Sequence, residues 1–371
     1  MGQRTIHPKL QELYDKNIPV YSISRLDTIN NCLLSAYKAY ILKEKGTGNI
    51  YSYAGTKIHD VLEALMNDKA TVDDLLPAMN EELDDLAMAG IDFPKDPNGD
   101  STLRNNWIKD MVHFCCTYTK PRGKYSTEEF FLYKSERGHY LQGYIDLIRH
   151  HDDNGLISIY DYKTSSLYTG EGIKEHGRQL LLYAMAKMQQ GCTVRSVNWI
   201  FLKYAEIRFR GKKTAKSKEK TDLVKVVERR KIGAEMEKYI RADLEEAGYD
   251  DLDINAIAKK FRETNDIEFI PEDIRSNYKI LPYVCEYEIT DEAIQETEDY
   301  INDTIEKWES LSGNPEDYPH RSFTKIQKNG KEVADYFFCT ALCDYKKCPD
   351  VTAFLDQYTS PDTNAEEDMF A

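Results

Sequence analysis

The stretch IYDYKTSS, residues 159–166, closes an apolar run with an aspartate and a lysine two residues apart. Side chains alternate faces along a strand, so Asp161 and Lys163 share one face with Ile157 and Ile159. On a solvated edge strand the charges would stand opposite the isoleucines. Here the apolar face turns ionic as the strand ends. One hairpin earlier, GYIDLI sets Asp146 on the face opposite Ile145 and Leu147. If the two strands pair through a turn at 151–155, Asp146 and Asp161 come together near the strand ends. Two carboxylates at close range repel unless a positive charge lies between them. A magnesium ion with oxygen ligands meets that need, and the Tyr162 carbonyl is a further candidate ligand. Lys163 would then orient or help deprotonate an attacking water and stabilise charge on a phosphate. The plainer alternative is a surface ion pair, since D-x-K matches arise often by chance in a chain with 30% charged residues.

The elements that must position these residues follow from periodicity. EEFFLYKSE (128–136), GHYLQGYIDLIRH (138–150) and GLISIYDYKT (155–164) read as three strands joined as a meander, with Gly138 and the 152–155 run as turns. EHGRQLLLYAMAKMQQ (175–190) is an amphipathic helix closed by Gly191. It sets Gln179 and Tyr183 one turn apart on one face. VRSVNWIFLKYAEIRF (194–209) returns to strand. Residues 21–42 read as one helix entered through Ser24. Residues 55–67 read as another, with Ile58, Val61, Leu62 and Leu65 as its apolar stripe. His59 on that helix suits a packed or surface histidine as well as a ligand. Residues 72–120 read as helical around a loop at 93–100, residues 210–231 as a basic loop, and further helices are expected near 233–246, 253–264 and 290–311.

In chain order, S-x-S-x-L (Ser22, Ser24, Leu26), G-T-K-I-H (55–59), G-Y-I-D (143–146), D-Y-K-T (161–164) and Q-L-L-L-Y-A (179–184) resemble the RecB-type branch of the PD-(D/E)XK nuclease superfamily. The resemblance covers most of residues 21–190. It implies an α/β fold with a restriction-endonuclease-like core, a mixed central sheet flanked by helices, and helical insertions. It implies that His59, Asp146, Asp161 and the Tyr162 carbonyl hold Mg2+ or Mn2+, and that Lys163 is the catalytic lysine. Gln179 and Tyr183 would support the site or contact DNA, and Glu129 is an additional acidic candidate. The implied reaction is hydrolysis of DNA by water to a 5′-phosphate and a 3′-hydroxyl, as an exonuclease in phage or bacterial recombination, repair or replication. The implied substrate is single-stranded DNA or DNA with single-stranded ends. A helicase, recombinase or single-stranded-DNA-binding protein is the implied partner, because the chain has no G-x-x-x-x-G-K-[ST] motif of its own. The alternative is a nuclease fold kept as a non-cleaving DNA-binding or scaffold subunit, which would have no need of the whole acid–acid–lysine set.

Eight cysteines divide into two groups. Cys115, Cys116, Cys192 and Cys285 read as small buried apolar residues. Cys339, Cys343 and Cys348 crowd ten residues. In AddB-type helicase–nucleases and CRISPR-associated adaptation nucleases of the same superfamily, one cysteine before the nuclease motifs and three after them hold a [4Fe–4S] cluster. Cys32 with the late trio is similar in layout, and Pro349 follows the last cysteine as in the family. The resemblance therefore implies a cluster that clasps segments far apart in the chain. The x3 then x4 spacing departs from the family's usual x2 and longer gap, so Zn2+ on the same four thiolates is the alternative.

A net charge of −15 argues against a protein coated in basic charge. Residues 208–231 run the other way, with 11 basic residues against three acidic. That stretch reads as a phosphate-tracking loop, with Lys212, Lys213, Lys216, Lys218, Arg229 and Arg230 as candidate DNA contacts. A solvated hairpin tip is the alternative. No apolar run of about 18 residues suggests a membrane span. The N-terminal residues show no apolar signal region, so a cytoplasmic location is expected. The expected organisation is one nuclease domain over 1–358. It would carry a helical insertion at 67–125, a basic hairpin and helical insertion at 208–280, and a cysteine clasp at 339–348 closing onto Cys32. A disordered acidic tail would follow at 359–371.

Overall fold

The computed structural model describes residues 6–95, 99–210, 222–326, 330–345 and 348–358. In chain order its elements are α1 (Pro8–Asp15), β1 (Val20–Tyr21), α2 (Ile23–Asn31), α3 (Leu33–Ala36), α4 (Ile50–Met66), α5 (Leu75–Met88), α6 (Thr102–Thr117), β2 (Lys124–Lys134), β3 (Tyr140–His150), β4 (Leu156–Lys163), α7 (Glu171–Gln189), β5 (Thr193–Arg210), β6 (Asp222–Glu228), α8 (Ile232–Glu246), α9 (Asp251–Thr264), α10 (Glu272–Arg275), β7 (Tyr278–Tyr287), α11 (Asp291–Glu309), β8 (Thr324–Ile326), β9 (Glu332–Ala334) and α12 (Pro349–Tyr358). Among the described residues no helix is long and apolar enough to cross a membrane.

β1 to β7 form one mixed sheet, and two features of its register matter for function. First, β3 pairs antiparallel with β2 along its length but with β4 only as far as Leu147↔Tyr160. Beyond that point β4 leaves β3 and stays with β5, in parallel, to Lys163↔Phe201. Second, the long β5 exchanges one neighbour for another. After β4 ends opposite Phe201, β6 takes over antiparallel from Tyr204↔Glu228. The carboxyl ends of β4 and β6 therefore meet at residues 201–204 of β5 and leave the sheet there. A crevice at strand carboxyl ends, where neighbours part, is the usual place for a ligand in an open α/β sheet.

Helices cover both faces. On one, Leu26 and Ile29 of α2, Leu180 to Ala184 of α7 and Ile301 and Ile305 of α11 pack on Ile145, Ile157, Ile159, Val197 and Trp199. On the other, Ile58, Leu62 and Leu65 of α4, Met79 and Leu83 of α5 and Met111 and Phe114 of α6 enclose Leu147, Tyr162 and Leu202. A third cluster seats α8 and α9 on Ala205, Ile207 and Phe209, which is the body of the second insertion.

The expected meander and the helix after it are present, but three local readings need correction. The single helix expected over 21–42 is broken. α2 starts at Ser22, whose Oγ accepts from the Arg25 amide at 3.2 Å, and ends at Cys32, where φ is −162° and ψ is 110°. α3 and a π-helical turn at Tyr37–Ile41 follow. Residues 222–228 are strand rather than basic loop, because the alternate residues Leu223 and Val227 pack on the third cluster while the segment pairs with β5 from Glu228↔Tyr204 to Asp222↔Arg210. β7 was not expected at all, since Pro282 interrupts its pattern. The proline sits beside the register shift between Ile200 and Ala205 of β5, where a ladder amide is dispensable.

Candidate active site

Where β4 leaves β3, backbone donors lose their ladder partners and side chains take their place. Asp146 Oδ2 accepts from the Tyr162 amide at 3.0 Å. The same oxygen lies 3.3 Å from Nδ1 of His59, and the Tyr162 backbone accepts from that imidazole. Asp161, the residue before, is 1% exposed. Lys163 Nζ lies 2.6 Å from its Oδ2 and donates to Gln179 Oε1 at 2.9 Å. Gln179 Nε2 in turn donates to the Tyr183 hydroxyl at 2.7 Å. Gln179 and Tyr183, one turn apart on α7, thus hold the lysine together with the Asp161 carboxylate. His59 reaches the strand end because α4 passes close to it: a Cβ on Gly55 would stand 3.2 Å from Thr164 Oγ1. The structure brings together His59, Asp146, Asp161, Tyr162, Lys163, Gln179 and Tyr183, seven of the residues expected at the site.

Electrostatics show a site with more negative charge than it can comfortably hold. Burial and the repulsion of Asp161 push the Asp146 carboxyl well above the usual carboxylate range. Burial pulls His59 below the ordinary histidine value, so its imidazole is neutral and able to ligate. Burial also opposes charge on Lys163, yet Asp161, Tyr168 and Asp146 outweigh it and keep the ammonium protonated. Apart from the ionic contact with Lys163, the buried Asp161 Oδ2 has no hydrogen-bond donor. Among the described residues no three His, Cys, Asp or Glu side chains close on one point as a bound metal would require. Even so, two carboxylates, one of them with a buried oxygen that Lys163 meets, and a neutral imidazole are a donor set a hard divalent cation takes.

Of these residues, His59, Tyr162 and Lys163 line a cleft of about 760 Å³. Its other walls are Tyr51, Ser52 and Thr56 of α4, Trp107 and Asp110 of α6, the 164–168 loop, Lys203, Glu228, Arg230, and Phe337 and Leu342 from the cysteine-rich segment.

Other expected site residues sit elsewhere. Glu129 faces away, half-buried, where it ion-pairs with the buried Lys187 and accepts from Ser126 Oγ at 2.8 Å. Its neighbour Glu128 is the acid whose charge reaches His59, Asp146 and Tyr183. Glu128 has a φ of 47°, a left-handed conformation that no sequence pattern announces. Arg229 is 4% exposed and belongs to the core: its guanidinium donates to the Leu202 carbonyl at 2.7 Å and to Thr117 at 3.3 Å. A buried guanidinium so engaged is unavailable to a phosphate, which corrects its place among the DNA contacts. Arg230 lines the cleft but is held by Asp110 and Glu228. Lys212, Lys213, Lys216 and Lys218, and the 359–371 tail, lie outside the described residues.

Cys32, Cys339, Cys343 and Cys348 are all buried, and the charge of each of the others reaches Cys339. Cys343 Sγ meets Ser35 Oγ at 3.3 Å and the Tyr345 amide at 3.4 Å, contacts that suit a thiolate. Burial pushes the Cys339 thiol up to about 11, the direction that deprotonation by a bound metal would reverse. The segment is also tied down by polar contacts. Asn49 Nδ2 donates to the Leu342 carbonyl at 2.9 Å, the Thr47 amide to the Asp344 carbonyl at 3.0 Å, and the Tyr345 hydroxyl to the Glu44 carbonyl at 2.8 Å.

Among curated proteins, none matches this sequence. The family model of the PD-(D/E)XK nuclease superfamily matches residues 20–348, a span that runs from β1 to the last of the four cysteines and includes every residue of the cleft. With that match over most of its length, a mixed sheet between helices, and Asp146, Asp161 and Lys163 gathered at one strand end, the chain belongs to the PD-(D/E)XK nuclease superfamily.

Proposed function

We propose that this protein is a deoxyribonuclease dependent on Mg2+ or Mn2+ that degrades DNA from an end, in phage or bacterial recombination, repair or replication. The observation that carries the reading is the intact set of Asp146, Asp161 and Lys163 at the parting of β3 and β4, with Gln179 steering the lysine. Asp146, Asp161, His59 and the Tyr162 carbonyl would hold the metal. When bound, it supplies Lewis-acid stabilisation of charge on the phosphate and lowers the pKa of a water. The protonated Lys163 adds a second positive charge where the pentavalent phosphorus gathers negative charge, and Gln179 keeps it aimed. Leu103, Trp107, Tyr51 and Tyr168 give the cleft apolar and aromatic walls that suit unstacked bases, in favour of a single strand.

We read the four cysteines as a [4Fe–4S] site. Four buried thiols, one before the nuclease motifs and three after them, whose charges reach Cys339 together, support this reading.

The test is digestion of linear DNA labelled at the 5′ or the 3′ end, by wild type and Asp161→Ala purified without oxygen, with and without Mg2+ or Mn2+. Metal-dependent cleavage that the variant lacks supports the reading, and the labelled products give polarity. No cleavage by intact, metal-loaded wild type, with DNA binding retained, moves the assignment to a scaffold subunit.

A further inference from the structure

The seam at residues 201–204 of β5 holds a cation that the catalytic set leaves unused. Lys203 stands between the last partner of β4, Phe201, and the first partner of β6, Tyr204. It lines the same cleft as Lys163. Among the described residues its only polar contact is the Ser166 hydroxyl, at 3.5 Å. The acids nearest to it, Asp110 and Glu228, are already engaged by Arg230. Burial pulls the Lys203 ammonium below its ordinary pKa, so an anion brought beside it would relieve a charge the protein carries at a cost. On the wall formed by α6, Trp107 is 3% exposed and its indole N–H has no acceptor among the described residues. Ser165 and Ser166 add hydroxyls to the same space. An ammonium with one long hydroxyl contact, an N–H without an acceptor among the described residues and two hydroxyls line one cleft whose carboxylates, Asp110 and Glu228, are held by Arg230, a donor-rich corner that suits an acceptor-rich anion.

We propose that Lys203, Ser166 and Trp107 form a nucleotide subsite next to the catalytic centre, in which Lys203 holds the phosphate adjacent to the one being cut and the Trp107 N–H donates to an oxygen or ring nitrogen of the same nucleotide. The proposal rests on the nuclease reading for its register but not for its readout. Binding of a fluorescent single-stranded 12-mer is measured in EDTA and in Ca2+ over a range of salt, for wild type, Lys203→Met and Trp107→Phe. Lys203→Met keeps the packed stem of the side chain and removes the charge. It is expected to weaken binding about fivefold to tenfold and to flatten the slope of log K against log salt by about 0.7, one single-strand phosphate contact. Trp107→Phe is expected to weaken binding with the slope unchanged. In wild type, one methylphosphonate next to the scissile linkage should carry a penalty that vanishes in Lys203→Met. Should Lys203→Met fail to fold by circular dichroism, Trp107→Phe and the wild-type methylphosphonate scan carry the test. A wild-type slope and an unchanged methylphosphonate profile in Lys203→Met overturn the subsite, and normal cutting by the same variant leaves the nuclease standing. A strand bound as expected but never cut ends the nuclease reading alone. Absence of binding in both EDTA and Ca2+ overturns the subsite.

Discussion

His113 should make the α6 wall of the cleft acid-sensitive. Its Nε2 is 3.2 Å from the Asn265 carbonyl and its Nδ1 is 3.4 Å from Nη1 of Arg229. Only the neutral ring with its proton on Nε2 satisfies both neighbours. A second proton would point a donor at a guanidinium and add charge beside it. Burial, reinforced by Arg229, lowers the His113 pKa from 6.5 to about 4. The unfolded chain therefore binds a proton near pH 6.5, while the folded chain resists until about pH 4. The contribution of neutral His113 is complete above pH 6.5 and drains away as pH falls through that window. At pH 5 the loss is about 2 kcal/mol, rising to about 3 kcal/mol below pH 4. The assay compares urea unfolding of wild type and His113→Gln from pH 7.5 to pH 5. Carboxylates that titrate in this range are common to both proteins and cancel in the difference. Wild type should lead at pH 7.5, and its lead should shrink by about 2 kcal/mol at pH 5. Hydrogen exchange in α6, which carries Trp107 and Asp110, should show the same loss locally. Parallel curves for the two proteins would refute the assignment of His113 as a buried neutral base.

Three further outcomes follow from single contacts. Gln179→Leu removes the acceptor that aims Lys163 and the donor to Tyr183, and steady-state assays should show cleavage slowed about 10- to 100-fold with little change in KM. Gly177→Ala would set a Cβ 2.4 Å from the Tyr287 ring, and should cost about 1–3 kcal/mol in urea unfolding. Cys343→Ser should abolish the visible absorbance of anaerobically purified protein and speed proteolysis within 339–348, while the sheet core keeps its protection.

The candidate site residues of β4 and α7 were legible because strand and helix periodicities fix which side chains share a face, whereas on β3 Ile145 and Leu147, expected on one face opposite Asp146, pack in the cores on opposite faces of the sheet. Asp161 and Lys163 follow Ile157 and Ile159 on one face of β4, and α7 presents Gln179 and Tyr183 to it. Features that depend on one backbone angle or on a distant partner were not legible. Nothing in Glu128-Glu129 says which acid turns toward the site, because the choice is made by a left-handed φ at Glu128. The break at Cys32 hides inside a continuous helical pattern, where it presents a buried thiol to a segment 300 residues later. Arg229 and Arg230 look alike in a basic run. Tertiary context sends the first into the core against Phe114 and the second to Asp110.

The C-terminal cysteine segment and the helix that carries His59 are linked through one residue. Asn49 caps α4 by accepting from the Ser52 amide at 3.0 Å, and the same side chain holds the Leu342 carbonyl. A cap of this kind contributes about 1 kcal/mol to its helix, and here it also fixes where that helix starts relative to the cysteine segment. His59 rides on α4, whereas Asp161 and Lys163 are held by the β4–β5 ladder and by α7. Loosening the clasp should therefore displace His59, and with it one side of the metal donor set, before it disturbs the acid–lysine pair. On the proposed reading, a cysteine clasp would act on cleavage by setting the position of one helix, which gives a physical reason for four thiols in a protein whose chemistry they would not perform.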